Sequence, residues 1–135
     1  MVQRYNKGAR SERELLAFLR ERKFSVMRSA GSGVNSVSPD LVAFKEGKGL
    51  AFECKAWNDT SISIPAEKVA RLQEWETNTG METFIAWRMN GEGWLFIKLS
   101  ELSKAQSNYT ITRKRAFAIN RKLADLLDAL KATDS

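Results

Sequence analysis

The chain has 135 residues, 43% of them hydrophobic and 28% charged, with no histidine and a formal net charge of +6. Such a length and composition suit one globular domain over residues 1–135, and the basic excess favours a polyanion, usually nucleic acid, over a merely solubilising coat. No run reaches the ~18 apolar residues of a membrane helix, MVQRYNK has no secretory h-region, and a single cysteine, Cys54, excludes an internal disulfide or a cysteine zinc knuckle. A reducing cytoplasm is the expected compartment.

In chain order, Arg4, Lys7, Arg10 and Arg13 recur every three residues and form one ridge if the N-terminal segment is helical. Ser11 and Glu14 have capping-box spacing and predict a helix from Ser11 to about Lys23, with Leu15, Leu16 and Leu19 inside. Phe24 to Ser29 reads as a strand, and SAGSGVNSVSP as a Gly/Ser-rich loop. Strands over 40–44 and 50–57 are joined by KEGKG as a hairpin.

Pro65 suits the first turn of a helix that ends at Gly80, with Ala66, Val69, Leu72 and Glu76 inward. TFIAWRM and WLFIKL around NGEG form a second hairpin, and residues 120–131 a last helix carrying Leu123, Leu126, Leu127 and Leu130. Arg113, Lys114, Arg115, Arg121 and Lys122 make a second basic cluster. The order predicts an α/β fold, a central mixed sheet of about five strands flanked by helices.

The first hairpin carries the chemistry. Alternation puts Glu53 and Lys55 on one strand face and Cys54 on the other. Folding about Gly47 sets Asp40 beside Glu53 or Cys54, with the carboxylates roughly 5–8 Å apart. Like charges at ~5 Å repel by about 3 kcal/mol at an effective dielectric near 20, so one carboxyl is protonated or a cation sits between them. A hard divalent ion, Mg²⁺ or Mn²⁺, answers that need. With no imidazole in the chain, phosphodiester hydrolysis would have to use carboxylates, lysine and a metal. Glu12 falls on the Leu15–Leu19 stripe, where an unpaired carboxylate is costly. Taken singly, Glu12 could serve the helix dipole, Pro39-Asp40 a turn, and Glu53 and Lys55 an exposed ion pair.

Together these residues resemble the PD-(D/E)xK nuclease superfamily: PD at 39–40, twelve intervening residues, then ECK at 53–55. KGARSERELLAFLRERKFSVMRSAGSG, SPDLVAF, AFECKAW, a helix ending in TG, and FIAWR before GWLFI are similar to the archaeal Holliday junction resolvases over roughly residues 4–99. The resemblance implies a restriction-endonuclease-like core and a homodimeric, metal-dependent endonuclease cutting four-way DNA junctions symmetrically. It implies Glu12, Asp40, Glu53 and Lys55 as catalytic residues, with Ser32 at the scissile phosphate. Asp40, Glu53 and the Cys54 carbonyl, completed by Glu12, would hold Mg²⁺.

Arg13 and Arg28, extended by Arg4, Lys7, Arg10 and Arg88, would contact DNA, with Arg113, Lys114 and Arg115 extending that surface. Leu72 and Trp75 would form the dimer interface if they are not simply packed on the sheet, and Gln73 is either a polar residue near the site or a core glutamine. Another PD-(D/E)xK nuclease of restriction or repair type, a non-catalytic DNA-binding module and a protein-binding scaffold remain as alternatives. Partners such as a sliding clamp or a branch-migration helicase are left open.

Overall fold

The computed structural model describes residues 2–29 and 37–132, with side chains described over 10–29 and 37–131. The first element, α1 (Val2–Glu21), is longer than expected. Ser11 is therefore no cap: it lies buried in mid-helix. Gly8 is the weakest helix former upstream and costs about 1 kcal/mol, too little to stop a helix packed on a sheet. Beyond Glu21 the chain turns at Lys23, whose φ of 70° is left-handed, and Phe24 N–H bonds back to the Leu19 carbonyl at 3.1 Å.

Strands β1 (Ser25–Arg28), β2 (Leu41–Lys45) and β3 (Lys48–Lys55) form an antiparallel run. The β2–β3 turn uses Glu46 and Gly47, with φ of 51° and 81°, the positive pair that a tight two-residue hairpin requires. Its register pairs Leu41 with Phe52, as KEGKG predicted. Next come β4 (Ser61–Pro65) and α2 (Ala66–Thr79), the latter closed by Gly80 at φ 72° with its N–H on the Glu76 carbonyl. Pro65 is thus the residue before α2 and the last of β4. Strands β5 (Glu82–Met89) and β6 (Gly93–Lys98) complete a five-stranded sheet of order β1-β2-β3-β5-β6, in which β3 and β5 are parallel and the other pairs antiparallel.

The C-terminal third departs further from expectation. After a 3₁₀ turn at Leu99–Glu101, β7 (Ser103–Ala105) and β8 (Asn108–Thr112) join β4 in a three-stranded antiparallel sheet. A short α3 (Arg113–Ile119) follows, and Asn120, at φ 51°, ends it. The last helix, α4, therefore begins at Leu123 and runs to Ala132.

Two cores cover the large sheet. Leu15 and Leu19 of α1 and Leu126 of α4 pack on Leu41, Phe52 and Phe96, while Val69 and Leu72 of α2 with Ile62, Ile64 and Ile111 pack on Ile85, Trp87 and Ile97. Burying each such side chain contributes roughly 1.5–3 kcal/mol. Among the described residues, no helix is long and apolar enough to cross a membrane.

Candidate active site

Asp40 immediately precedes β2, so the Leu41–Phe52 register carries it opposite Glu53. Two backbone contacts hold it there: its carbonyl accepts the Ser29 N–H at 2.8 Å, and its Oδ2 accepts the Cys54 N–H at 2.8 Å. A carboxylate receiving a strand amide is fixed in direction without losing its remaining lone pairs.

Glu53 points to the α2 side of the sheet, where it meets a residue that the sequence did not single out. Lys68, in the first turn of α2, brings Nζ to 3.7 Å from Glu53 Oε1, with side chains only 3% and 7% exposed. The same ammonium donates to the Ser38 carbonyl at 3.0 Å, two residues before Asp40. The Glu53 carboxyl is nevertheless pushed up to about 7, first by burial and then by the nearby Asp40 charge, against the pull of Lys68 and Lys55. Asp40 is also raised, chiefly by burial, against the Cys54 hydrogen bond and the surrounding cations. Glu53 Oε1 is buried without a hydrogen-bond donor, a condition seldom tolerated in a native fold.

Glu12 approaches from α1, on the opposite side of the sheet. Its Oε1 accepts the Arg28 Nε–H at 2.9 Å, and its carboxyl is raised by burial more than that bond and ion pair lower it. Its negative charge still reaches Glu53. Lys55 ends β3 on the Glu53 face, with Nζ 5.7 Å above the centre of the Trp57 ring, a placement that keeps the ammonium near the strand. Trp57 is itself held by the Trp87 indole N–H on its carbonyl at 2.7 Å.

The residues thus gather as an acidic centre, Asp40 with Glu53, flanked by Glu12–Arg28 on one side and Lys68 and Lys55 on the other. Among the described residues, no three acidic, cysteine or histidine side chains converge closely enough to cage an ion, and Glu12 is turned to Arg28. The donor set that fits a hard divalent cation is the Asp40 and Glu53 carboxylates with the adjoining Cys54 carbonyl, and the unpartnered Glu53 Oε1 is the atom such an ion would satisfy.

Other expected site residues lie elsewhere. Arg88 is engaged rather than free: its Nε donates to both Glu14 oxygens at 3.1 Å, and the Trp94 indole N–H donates to Glu14 Oε1 at 3.0 Å. Arg121 is likewise committed, to Glu101 at 2.7 and 2.9 Å and to the Phe96 carbonyl. Leu72 is wholly buried in the core and offers no interface surface, whereas Trp75 is half-buried. Gln73 is exposed, so it is not a core glutamine. Arg10, Arg13 and Arg28 are exposed at α1 and β1, and Lys114 and Arg115 at the start of α3. The side chains of Arg4 and Lys7, and Ser32 entirely, lie outside the described residues.

Residues 3–135 match the model of the archaeal Holliday junction resolvase (Hjc) family. The chain is 38% identical over 122 residues to the crossover junction endodeoxyribonuclease Hjc of Methanocaldococcus jannaschii, covering 89% of this chain and 87% of that one. It is 32% identical over 107 residues to the protein of the same name from Archaeoglobus fulgidus, covering 78% and 79% of the two chains. The solved structure of A. fulgidus Hjc, a Holliday junction resolvase, superposes with a TM-score of 0.79 at 27% identity, covering 89% of this chain and 94% of that one. A bacterial homing endonuclease, I-Ssp6803I, shares the fold at a TM-score of 0.56 and 16% identity, over 95% and 96% of the chains. The chain, with its Asp40–Glu53–Lys55 centre at the end of the first hairpin, belongs to the archaeal Holliday junction resolvase family.

Proposed function

We propose that this protein is a metal-dependent endonuclease that resolves four-way DNA junctions by cutting two strands symmetrically, with Asp40, Glu53 and Lys55 at the centre of the site. The observation that carries this reading is the buried Asp40–Glu53 pair, whose Glu53 Oε1 has no hydrogen-bond donor. It agrees with the activity named for the M. jannaschii relative.

Asp40, Glu53 and the Cys54 carbonyl would hold Mg²⁺, with Mn²⁺ able to substitute. When bound, that ion activates water and neutralises charge on the scissile phosphate. Lys55 orients the attacking water and stabilises the negative charge of the pentacovalent phosphorus. The Cys54 N–H keeps the Asp40 carboxylate aimed at the site, and Arg28 holds Glu12 beside it as an outer acid rather than a complete ligand. Ser32 would act at the scissile phosphate.

DNA would be held mainly through phosphates, since a junction must be recognised in almost any sequence. Arg10, Arg13 and Arg28 are exposed for this purpose, with Arg4 and Lys7 further along the same helix. Arg113, Lys114 and Arg115 extend the surface, and the Arg113 N–H is tied to Thr60 O at 2.7 Å, just beyond the β3 strand that bears Lys55.

A junction's two-fold symmetry calls for two sites in a C₂ homodimer. The apolar surface suited to self-contact lies on β1 and β2, where Met27 is 67% and Phe44 43% exposed. They project from the α2 side of the sheet, and Trp75 of α2 is half-buried.

The experiment is incubation of the protein with an end-labelled synthetic four-way junction, and with linear duplex of the same sequence, in Mg²⁺ or chelator. Paired nicks at symmetric positions of the junction, absent in chelator and far slower on duplex, are expected. Equal rates on duplex and junction would sink the junction-specific reading.

A further inference from the structure

Lys68 is the one buried cation of the described site that the chemistry above leaves without a role. A lysine on an amphipathic helix normally extends its ammonium into water. Here the side chain is only 3% exposed and reaches two points of the catalytic hairpin region: Glu53 Oε1 at 3.7 Å and the Ser38 carbonyl at 3.0 Å. These points belong to chain segments converging from different directions. Glu53 stands in β3, while Ser38 closes the segment that delivers Asp40 to β2. Between them, the Cys54 N–H closes onto Asp40 Oδ2 at 2.8 Å. Lys68 therefore bridges the two segments whose meeting sets the separation of the acids.

The Glu53 contact also has a direction. At 3.7 Å the ammonium is within ion-pair range yet too far for a hydrogen bond. It attracts the carboxylate without occupying the lone pairs that a ligand needs. An arginine in its place would reach the carboxylate with a rigid fork and cover those lone pairs. A neutral side chain would leave Glu53 facing the Asp40 charge without its nearest cation, and the Ser38 carbonyl without this donor.

We propose that Lys68 is a positioning residue, clamping Glu53 of β3 to the Ser38–Asp40 segment so that the two acids stand ready for the reaction. The inference rests on the function assigned to Asp40 and Glu53, but it is read separately from cleavage. The Cys54 amide bonds to the Asp40 carboxylate, so its hydrogen exchange reports whether that segment stays in place, without metal or DNA.

The test compares wild type with Lys68→Met, which keeps length and removes the charge, and with Lys68→Gln, which retains a donor for Ser38 and serves if the methionine variant does not fold. Exchange is followed by NMR in chelator, and single-turnover cleavage of a synthetic junction is measured in Mg²⁺. Exchange at Cys54 should accelerate at least tenfold relative to Ile85 and Phe96 in the sheet core. Cleavage should fall about a hundredfold, the scale of a misplacement near 1 Å, while junction affinity in chelator stays within about threefold. Lys68→Arg should recover folding but little of the cleavage.

A purely structural lysine would lower protection at all three amides together and leave the rate per folded molecule unchanged, and that result overturns the clamp. Wild-type protein that leaves junctions intact would overturn the function proposed above, while Cys54 exchange would still decide the clamp.

Discussion

Glu14 reaches the large sheet from α1 on one side, Glu53 projects from β3 of that sheet toward α2 on the other, and their surroundings differ in kind. Glu14 is saturated: the Arg88 guanidinium lies against both of its oxygens, and the Trp94 indole adds a third donor. Glu53 is more deeply buried, faces the Asp40 charge, and has one oxygen without a donor. A fold gains from the first arrangement and is held back by the second, since an unmet buried polar atom costs about 1–3 kcal/mol. The satisfied acid ties α1 to β5 and β6; the unsatisfied one, with Asp40, is where an external cation would be stabilising.

The largest contrast should appear in cleavage. Asp40→Asn should lower junction cleavage by about a thousandfold or more while gel-shift affinity in chelator stays within a few-fold. Glu14→Ala should leave the rate per folded molecule near wild type but lower stability by about 1–2 kcal/mol in urea melts, because Arg88 and Trp94 lose their acceptor. A Glu14 variant with a dead site and an unchanged melt would erase the distinction between the two acids.

The pH dependence of the metal-free protein sharpens the same point. The Glu53 carboxyl binds a proton more tightly in the fold than in the unfolded chain, at about 7 against 4.5. The resulting stability is present in full below the unfolded value and lost as pH rises through about 7, on the order of 3 kcal/mol in all. Glu101, lowered by its Arg121 bond, moves the opposite way but below its ordinary range, so it is ionised throughout pH 5–8. The melting temperature in chelator should fall between pH 5 and pH 8. Glu53→Gln should flatten that slope, and Mg²⁺ at pH 8 should raise the melting temperature by mass action.

Smaller effects are expected at the surfaces. Met27→Glu with Phe44→Glu should shift the protein toward monomer by light scattering, whereas Leu72→Ala should lower stability first, as a cavity does. Arg10→Gln and Arg13→Gln should each weaken junction binding a few-fold and reduce the salt slope by roughly one charge.

Much of this was legible in the chain because its signals are local. KEGKG specifies a two-residue turn, the turn sets the register, and the register brings Asp40 to Glu53. The long apolar runs of β3, β5 and β6 mark strands covered on both faces. Features that depend on distant partners were not legible. Lys68 looks like any solvated helix lysine until α2 is laid against β3. Arg88 and Arg121 look like free cations until Glu14 and Glu101 meet them, and Leu72 looks available until the second core closes over it. The small sheet escaped notice because its strands are short, although the Ser-Ile alternation of residues 61–64 carried the signal. Ser11 misled because a capping-box spacing also occurs within a continuous helix.

The most direct test of the central claim is a side-by-side single-turnover assay of Glu53→Gln and Glu14→Gln on a labelled four-way junction in Mg²⁺, each matched for folded protein. The site described here predicts no detectable nicking by the first and near wild-type paired nicking by the second. Normal nicking by Glu53→Gln would contradict it.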